Sequence, residues 1–335
     1  MSATTGPLEP GGVAGGGLPV GTPGAGMPVL AADPLSRARP ANLWRDTLGN
    51  ILRQRSAVIG LVILTILILT AIFAPLIATH DPNQSMLQIR EPGAVKRAAP
   101  CIHALGCALD KPQHLFGLDG NFRDVFSRVV FGARISLGVG LASVTLAILF
   151  GSLIGAIAGY VGGWIDNILM RLMDVILAFP SLLLAIAIVA AAGPTLFNAL
   201  IAIGIVSIPI YARVVRSSVL SAREADYVTA SRALGENGAG ILLRRILPNS
   251  LTPLVVQGTL GIGGAVLEIA ALTFVGVTGS LDFAEWGSMI SFESQQLFNA
   301  PHVILAPGLA ITFTVLGFNL LGDGLRDALD PRLNR

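Results

Sequence analysis

Ionisable and thiol side chains are sparse in this chain, and those that fall inside or between long apolar runs are where any chemistry must start. Glu268 lies within the run from Leu251 to Val275, where an acid is costly unless it is paired, wetted or reaching an interface. It reads either as an acid near the outer headgroups or bonded to a neighbouring helix, or as a translocation-path group that meets the positive amine of a substrate. Cys101 and Cys107 bracket CIHALGC, and neither has a second Cys or a His at the spacing of a closed zinc site, so no metal is expected. The two thiols close only a short ring, so a disulfide on an oxidising face competes with two free thiols. The separation of their Cα atoms decides. His103 and His114 flank this stretch without a partner set of acids and read as surface histidines. No convergent nucleophile, base or metal set is visible within the spans, which argues against a membrane-embedded enzyme.

The composition sets the solvent in which these groups work. Hydrophobic residues make up 53% of the 335 and charged residues 13%, with mean hydropathy +0.73, too few charges to cover a water-soluble globule. A lipid bilayer is the expected surrounding. The formal net charge of +2 carries no long basic face, so no nucleic-acid partner is read. Residues 1–40, rich in Gly, Pro, Ala and Thr, read as a disordered cytoplasmic tail. They lack the pattern of a cleaved signal peptide, so the first hydrophobic segment is expected to stay in the mature protein.

A helix crossing the hydrocarbon core needs roughly 20 mainly apolar residues, and reading between the charges finds such blocks. One lies between Arg55 and His80 and a second from Ile135 to about Tyr160. The block from Val175 to Ala212 is close to twice one span; Ala191, Ala192, Gly193 and Pro194 interrupt it, so it reads as a helical hairpin. A fifth span runs from about Leu251 to Val275 and a sixth from about Val303 to Leu321. The expected fold is an all-α membrane protein of six transmembrane helices. Its expected divisions are a lead-in and first span over 41–80, an outer loop over 81–132, a core of five spans over 133–322, and a tail over 323–335.

Orientation follows the Arg and Lys beside the membrane. Arg37, Arg39, Arg45, Arg53 and Arg55 precede the first span, and Arg213, Arg216, Arg223, Arg232, Arg244 and Arg245 lie between spans four and five, so both segments are expected in the cytoplasm. Around Asp282, Glu285 and Glu293 there is no Lys or Arg, as for an outer loop, and Arg326, Arg332 and Arg335 bring the carboxyl end back inside. The segment from Asp81 to Gly132 objects, with Arg90, Lys96, Arg97, Lys111, Arg123 and Arg128. Its length and its acids Asp110, Asp119 and Asp124 weaken the objection, and it is assigned outside.

Several positions within the spans call for explanation. Gly151, Gly155, Gly159 and Gly163 recur every fourth residue, a ridge for close helix packing or for a surface that slides. Pro180 in the third span and Pro209 in the fourth mark bends that suit a gated pathway and also occur in static helices. In the cytoplasmic segment 223–250, Tyr227 to Leu234 reads as a helix with small Ala230 and Ala233, stopped by Gly235. A second run through Ile241 to Ile246 ends before Pro248. Two short helices on a Gly turn make a knob that could seat in a partner's groove or pack on its own bundle.

Here the chain resembles the permeases of ATP-binding-cassette importers, whose coupling loop has a glycine followed at fixed distance by an apolar residue and Pro. The matching positions are Thr229, Ala230, Ser231, Arg232, Ala233, Leu234 and Gly235, then Leu247 and Pro248, with Asp226 and Tyr227 opening the DYVTASRALG wording of the dipeptide, oligopeptide and nickel branch. Thr229 replaces the family's Glu, and Arg245 a usual isoleucine. GLDGNFRDVFSRVVFGARISL, MRLMDVILAFPSLLLAIAI, EWGSMI and NLLGDGLRDALDPRL resemble the second, C-type permease of such systems. The chain departs from the branch in its tail, its Cys101 to Cys107 loop and Leu115. The resemblance implies a type I importer permease fold and a multi-pass place in the bacterial cytoplasmic membrane. It also implies a homologous second permease, two ATPase subunits holding ATP and Mg, and an extracytoplasmic substrate-binding protein. No cofactor is expected in this chain, which has no GxxxxGK[ST] loop. Similar permeases serve dipeptides, longer peptides, glutathione-like molecules and chelated nickel. An ion-coupled secondary transporter, the alternative, would show internal repeats and several buried ionisable groups, whereas few besides Glu268 are found.

Overall fold

The structure, a computed structural model, describes residues 52, 54–91, 93–279 and 284–329. The expectations for the tail 1–40, the lead-in up to residue 51, and Arg37, Arg39, Arg45, Arg53, Asp282, Arg332 and Arg335 lie outside the described residues.

The apolar runs fold into helices because a backbone in lipid must satisfy its polar groups internally. They are α1 (Arg55–Ile72), α2 (Val125–Val161), α3 (Gly163–Leu177), α4 (Ser181–Ala192), α5 (Leu196–Arg223), α6 (Asp226–Ala233), α7 (Leu251–Phe274), α8 (Trp286–Glu293) and α9 (Pro301–Leu329). Five of these, α1, α2, α5, α7 and α9, are each long and apolar enough to cross a membrane. A sixth candidate is the pair α3 and α4, which qualifies only together and is bent by 89° at the break.

The sequence marks a bend at Pro180 and the bend is there, but the segment begins at Gly163 rather than at Val175. Pro180 is not a kink inside a helix; its backbone is extended, at φ −55° and ψ 129°, and it caps α4 from outside. Proline brings no amide hydrogen and disfavours helical backbone in the residue before it, so the chain leaves α3 at Ala178 and starts again at Ser181. Pro209 behaves otherwise, lying buried inside the uninterrupted α5.

Helix α2 is also longer than its apolar core, at 37 residues. Asp124 caps it, accepting from the Ser127 amide at 2.8 Å, and α2 thus begins well before Ile135. Arg128 does not interrupt it, because the guanidinium is buried beside Asp119, with Nε 3.6 Å from the carboxylate. The last helix likewise runs past Leu321 to Leu329, so residues 323–329 are helix rather than tail.

The glycine ridge packs within this chain. A methyl on Gly151 would meet Ile208 O and the Tyr211 side chain, one on Gly155 would overlap the Ala212 carbonyl, and one on Gly159 would meet Arg216 O and Val219. All of these partners lie on α5. Gly163 is not part of the ridge: α2 ends at Val161, and Gly163 has φ +60° with nothing near its Cβ position. Elsewhere Gly60 and Gly324 bring α1 and α9 together, and Gly287 of α8 lies against Ala270 of α7.

The described residues between 81 and 124 are cross-linked by a disulfide, backbone hydrogen bonds and ion pairs. Cys101 and Cys107 are joined by a disulfide with Cα atoms 5.4 Å apart. Cys101 and His114 exchange backbone hydrogen bonds of 2.9 and 3.1 Å. Arg97 reaches Glu293 at 2.7 Å and Arg123 reaches Asp119 at 2.8 Å, so basic groups that argued against an outer placement have carboxylate partners. His114 is not a surface histidine. It is 2% exposed, with Nδ1 2.9 Å from Asp124 Oδ1 and Nε2 3.2 Å from Glu91 Oε2. Burial would lower its pKa, but the two carboxylates outweigh that and raise it. Asp124 is the converse: burial would raise its pKa, and hydrogen bonds from His114 and Ser127 hold it below the ordinary value.

Candidate coupling knob and pathway residues

Helix α6 ends where Gly235 turns into the left-handed region at φ +80°. Asn237 then accepts from the Gly240 amide at 2.6 Å and starts a second helical stretch. Its centre, Ile241–Ile246, is a π-helix. The run does not end before Pro248 but passes through it to Asn249. Pro248 stands in the first turn of the closing α segment, where its missing amide is tolerated, and the wider π turn precedes its ring.

Val228, Ser231, Ile241 and Ile246 are buried and seat the knob on the bundle. Tyr160, at the end of α2, lies where a side chain on Gly238 would stand. Two ties close the pair: Arg245 Nε reaches Glu236 at 3.3 Å, and Asn249 Nδ2 donates to Tyr227 OH at 3.3 Å. The candidate residues therefore divide. Asp226, Tyr227, Thr229, Ala230, Arg232, Ala233, Leu234, Gly235 and Pro248 are exposed, Leu247 is half-buried, and Ser231 faces the bundle. Leu234 is 88% exposed between small neighbours. Sequence reasoning missed Leu243, 61% exposed on the second stretch beside Arg244. Ordinary α-helical spacing hides it, because Leu243 and Ile246 stand three residues apart and would share a face, whereas the π-helical stretch turns Leu243 outward.

The remaining candidates do not form one cluster. Glu268 of α7 is half-buried and lies beside Ser181, the residue after Pro180, at the break between α3 and α4. Pro209 is buried on α5. The structure instead reveals charged pairs between α3 and α5. Arg216 grips Asp166 through two bonds of 2.5 and 2.6 Å, and Arg213 meets Asp174 at 2.6 Å. Acid and base lie 50 and 39 positions apart, beyond the reach of local spacing.

A chain whose described residues are helical and hold five or six candidate membrane spans belongs to the class of integral membrane proteins. The comparisons specify which. The chain belongs to the family of binding-protein-dependent transport system inner membrane components, which matches residues 151–335. Residues 42–100 match the N-terminal transmembrane domain of oligopeptide transport permease C. The chain is 47% identical over 290 residues to the dipeptide transport system permease protein DppC of Alkalihalophilus pseudofirmus, covering 87% of this chain and 90% of that one. It is 39% identical to the glutathione transport system permease protein GsiD of Pectobacterium atrosepticum, over 91% of this chain and 97% of the relative. With the D,D-dipeptide permease DdpC of Escherichia coli, described as probable, it shares 42% identity over 81% and 86% of the two chains. The protein is thus a multi-pass inner-membrane permease subunit of an ATP-binding-cassette importer, a transport component and not an ATPase.

Proposed function

We propose that this chain is the second, C-type permease of a heterodimer that imports short peptides, driven by two ATPase subunits that hold ATP and Mg and fed by an extracytoplasmic binding protein. Relatives named for dipeptide, D,D-dipeptide and glutathione transport favour a short peptidic solute. The observation that carries the reading is the knob's outer face. Leu234 projects between Ala230, Ala233 and Gly235 on a base anchored by buried Val228 and Ile246. An apolar anchor ringed by small residues fits a groove on a partner, and a rigid base passes the partner's motion to the spans. Both described ends of the chain then face the cytoplasm with the knob. Glu268, at the α3–α4 break with Pro180, lines the moving side of the pathway, and Pro209 lets α5 flex behind it.

The test is Ala233→Glu and Leu234→Glu in the reconstituted importer. Both positions are exposed, so the spans should fold and reach the membrane at the parent's abundance. Loss of an interface anchor should lower uptake and substrate-stimulated ATP hydrolysis by about tenfold or more. Gly235→Trp is a weaker test, because a side chain at φ +80° also strains the turn. Uptake and stimulated hydrolysis at the parent's level in both exposed variants would refute the coupling role.

A further inference from the structure

We propose that His80, His114 and Asp124 form a binding site for one divalent transition-metal ion of the zinc class, where the end of the first span meets the start of α2. One donor atom from each residue lies within 4.8 Å of the others. His114 Nδ1 is 2.9 Å from Asp124 Oδ1, and His80 Nδ1 is 3.9 Å from Asp124 Oδ2. Around a tetrahedral zinc with bonds of about 2.0–2.1 Å, neighbouring donors stand about 3.3 Å apart. The first pair must open by a few tenths of an ångström and His80 must swing inward. It has the freedom to do so, since its side chain is 26% exposed and its ring bonds only its neighbour Thr79, at 2.9 Å, among the hydrogen bonds described.

The surroundings supply what a metal centre needs beyond its ligands. With Nδ1 turned to the ion, His114 carries its hydrogen on Nε2, where Glu91 Oε2 accepts at 3.2 Å. A carboxylate behind a ligating imidazole fixes the ring and its tautomer. Asp124 Oδ2 stays engaged with the Ser127 amide and hydroxyl at 2.8 and 2.7 Å, leaving Oδ1 as the ligand. The His80 backbone is pinned as well, its amide donating to Ser127 Oγ at 3.0 Å. The carboxylates of Asp124 and Glu91 offset the ion's two charges, and the imidazoles favour zinc, copper or nickel over magnesium or calcium. Two rings with centroids 5.0 Å apart share one buried carboxylate, although Ser127 alone completes the helix cap. The ion would tie three segments, around residues 80, 114 and 124, into one clamp.

The experiment titrates zinc chloride into the assembled, chelator-washed importer, purified without an oligohistidine tag, with calorimetry for stoichiometry and cobalt absorption for geometry. One ion more per complex is expected for the parent than for His80→Ala, and the tetrahedral cobalt bands should vanish in that variant. Glu91→Gln should weaken binding by about 10- to 100-fold, as for a residue that orients a ligand. His103→Ala should change nothing, since the His103 ring bonds the Lys111 carbonyl and no carboxylate among the hydrogen bonds described. His80→Ala removes no helix cap, so its melting temperature without metal should match the parent's, and only the parent's should climb with added zinc. Equal zinc stoichiometry and cobalt spectra in the parent and His80→Ala, or no zinc bound by the parent at millimolar concentration, would overturn the site and leave a hydrogen-bonded cap.

Discussion

Glu285 is 1% exposed, yet it is an acid. Its carboxylate caps α8, accepting from the Ser288 amide at 2.8 Å, and takes a hydrogen bond from Ser136 of α2 at 3.2 Å. Burial pushes its pKa up from the ordinary value of 4.5, and hydrogen bonds from Gly287, Thr273, Ser288 and Ser136 offset only part of that. For a group whose folded pKa is raised, the stabilising contribution is complete below pH 4.5 and is lost as pH rises through the folded value. The parent's melting temperature in detergent should therefore fall as pH rises above 4.5, while Glu285→Gln, a neutral isostere, should melt with a flatter profile. Parallel profiles for the two proteins would show that Glu285 titrates like a solvated acid. The neighbouring Trp286 is buried beside it, its ring against Gly132 and its Nε1 donating to Val129 O at 3.0 Å.

At the level of helices, α2 and α5 approach as closely as their backbones allow, and Gly155 is the pinch point against Ala212. Gly155→Leu should lower the stability of the folded permease by about 1–3 kcal/mol or abolish its accumulation. Gly138→Ala on the same helix should be silent, since nothing lies within 4 Å of its Cβ position. Fluorescence-detected size exclusion of the two variants separates the outcomes, and equal monodisperse yields would sink the packing role. This ridge was legible in the sequence because the four-residue repeat is local, and so were the end of α6 at Gly235 and the turn before α5. A bend at Pro180 was legible as well, but neither its size nor the start of the segment at Gly163 was. Apolar length reports how much lipid a segment can face, whereas the 89° bend depends on Pro180 acting with α3 held down by Asp166 and Arg216. The start of α2 was missed for a related reason, since Arg134 looked like a boundary although the helix runs through it, and the earlier Arg128 is buried within the same helix beside Asp119. His114 was misplaced because its partners Glu91 and Asp124 lie 23 and 10 positions away.

Across the whole molecule, charge placement and packing bear together on orientation. Among the described residues, Arg213, Arg216 and Arg223 gather where α5 ends and the knob begins, and the knob itself adds Arg232, Arg244 and Arg245. The opposite end carries the disulfide and the Arg97–Glu293 and Arg123–Asp119 pairs, whose charges are internally compensated and so exert little pull toward the cytoplasm. That arrangement predicts the knob inside and the stapled segment outside. A labelling probe near Glu293 would mislead, because Glu293 is 2% exposed and bonded to Arg97 and the Gly120 amide. Phe298, 95% exposed in the same connection, is the better reporter, with exposed Glu224 at the end of α5 as its counterpart. In Phe298→Cys, an impermeant maleimide added to intact cells should label the new thiol, which the bridged Cys101 and Cys107 leave without background. In Glu224→Cys it should label only after the membrane is opened. Labelling of Glu224→Cys in intact cells with protection of Phe298→Cys would invert the topology, place the disulfide on the reducing side, and remove the knob proposed for coupling from the face where ATP is found.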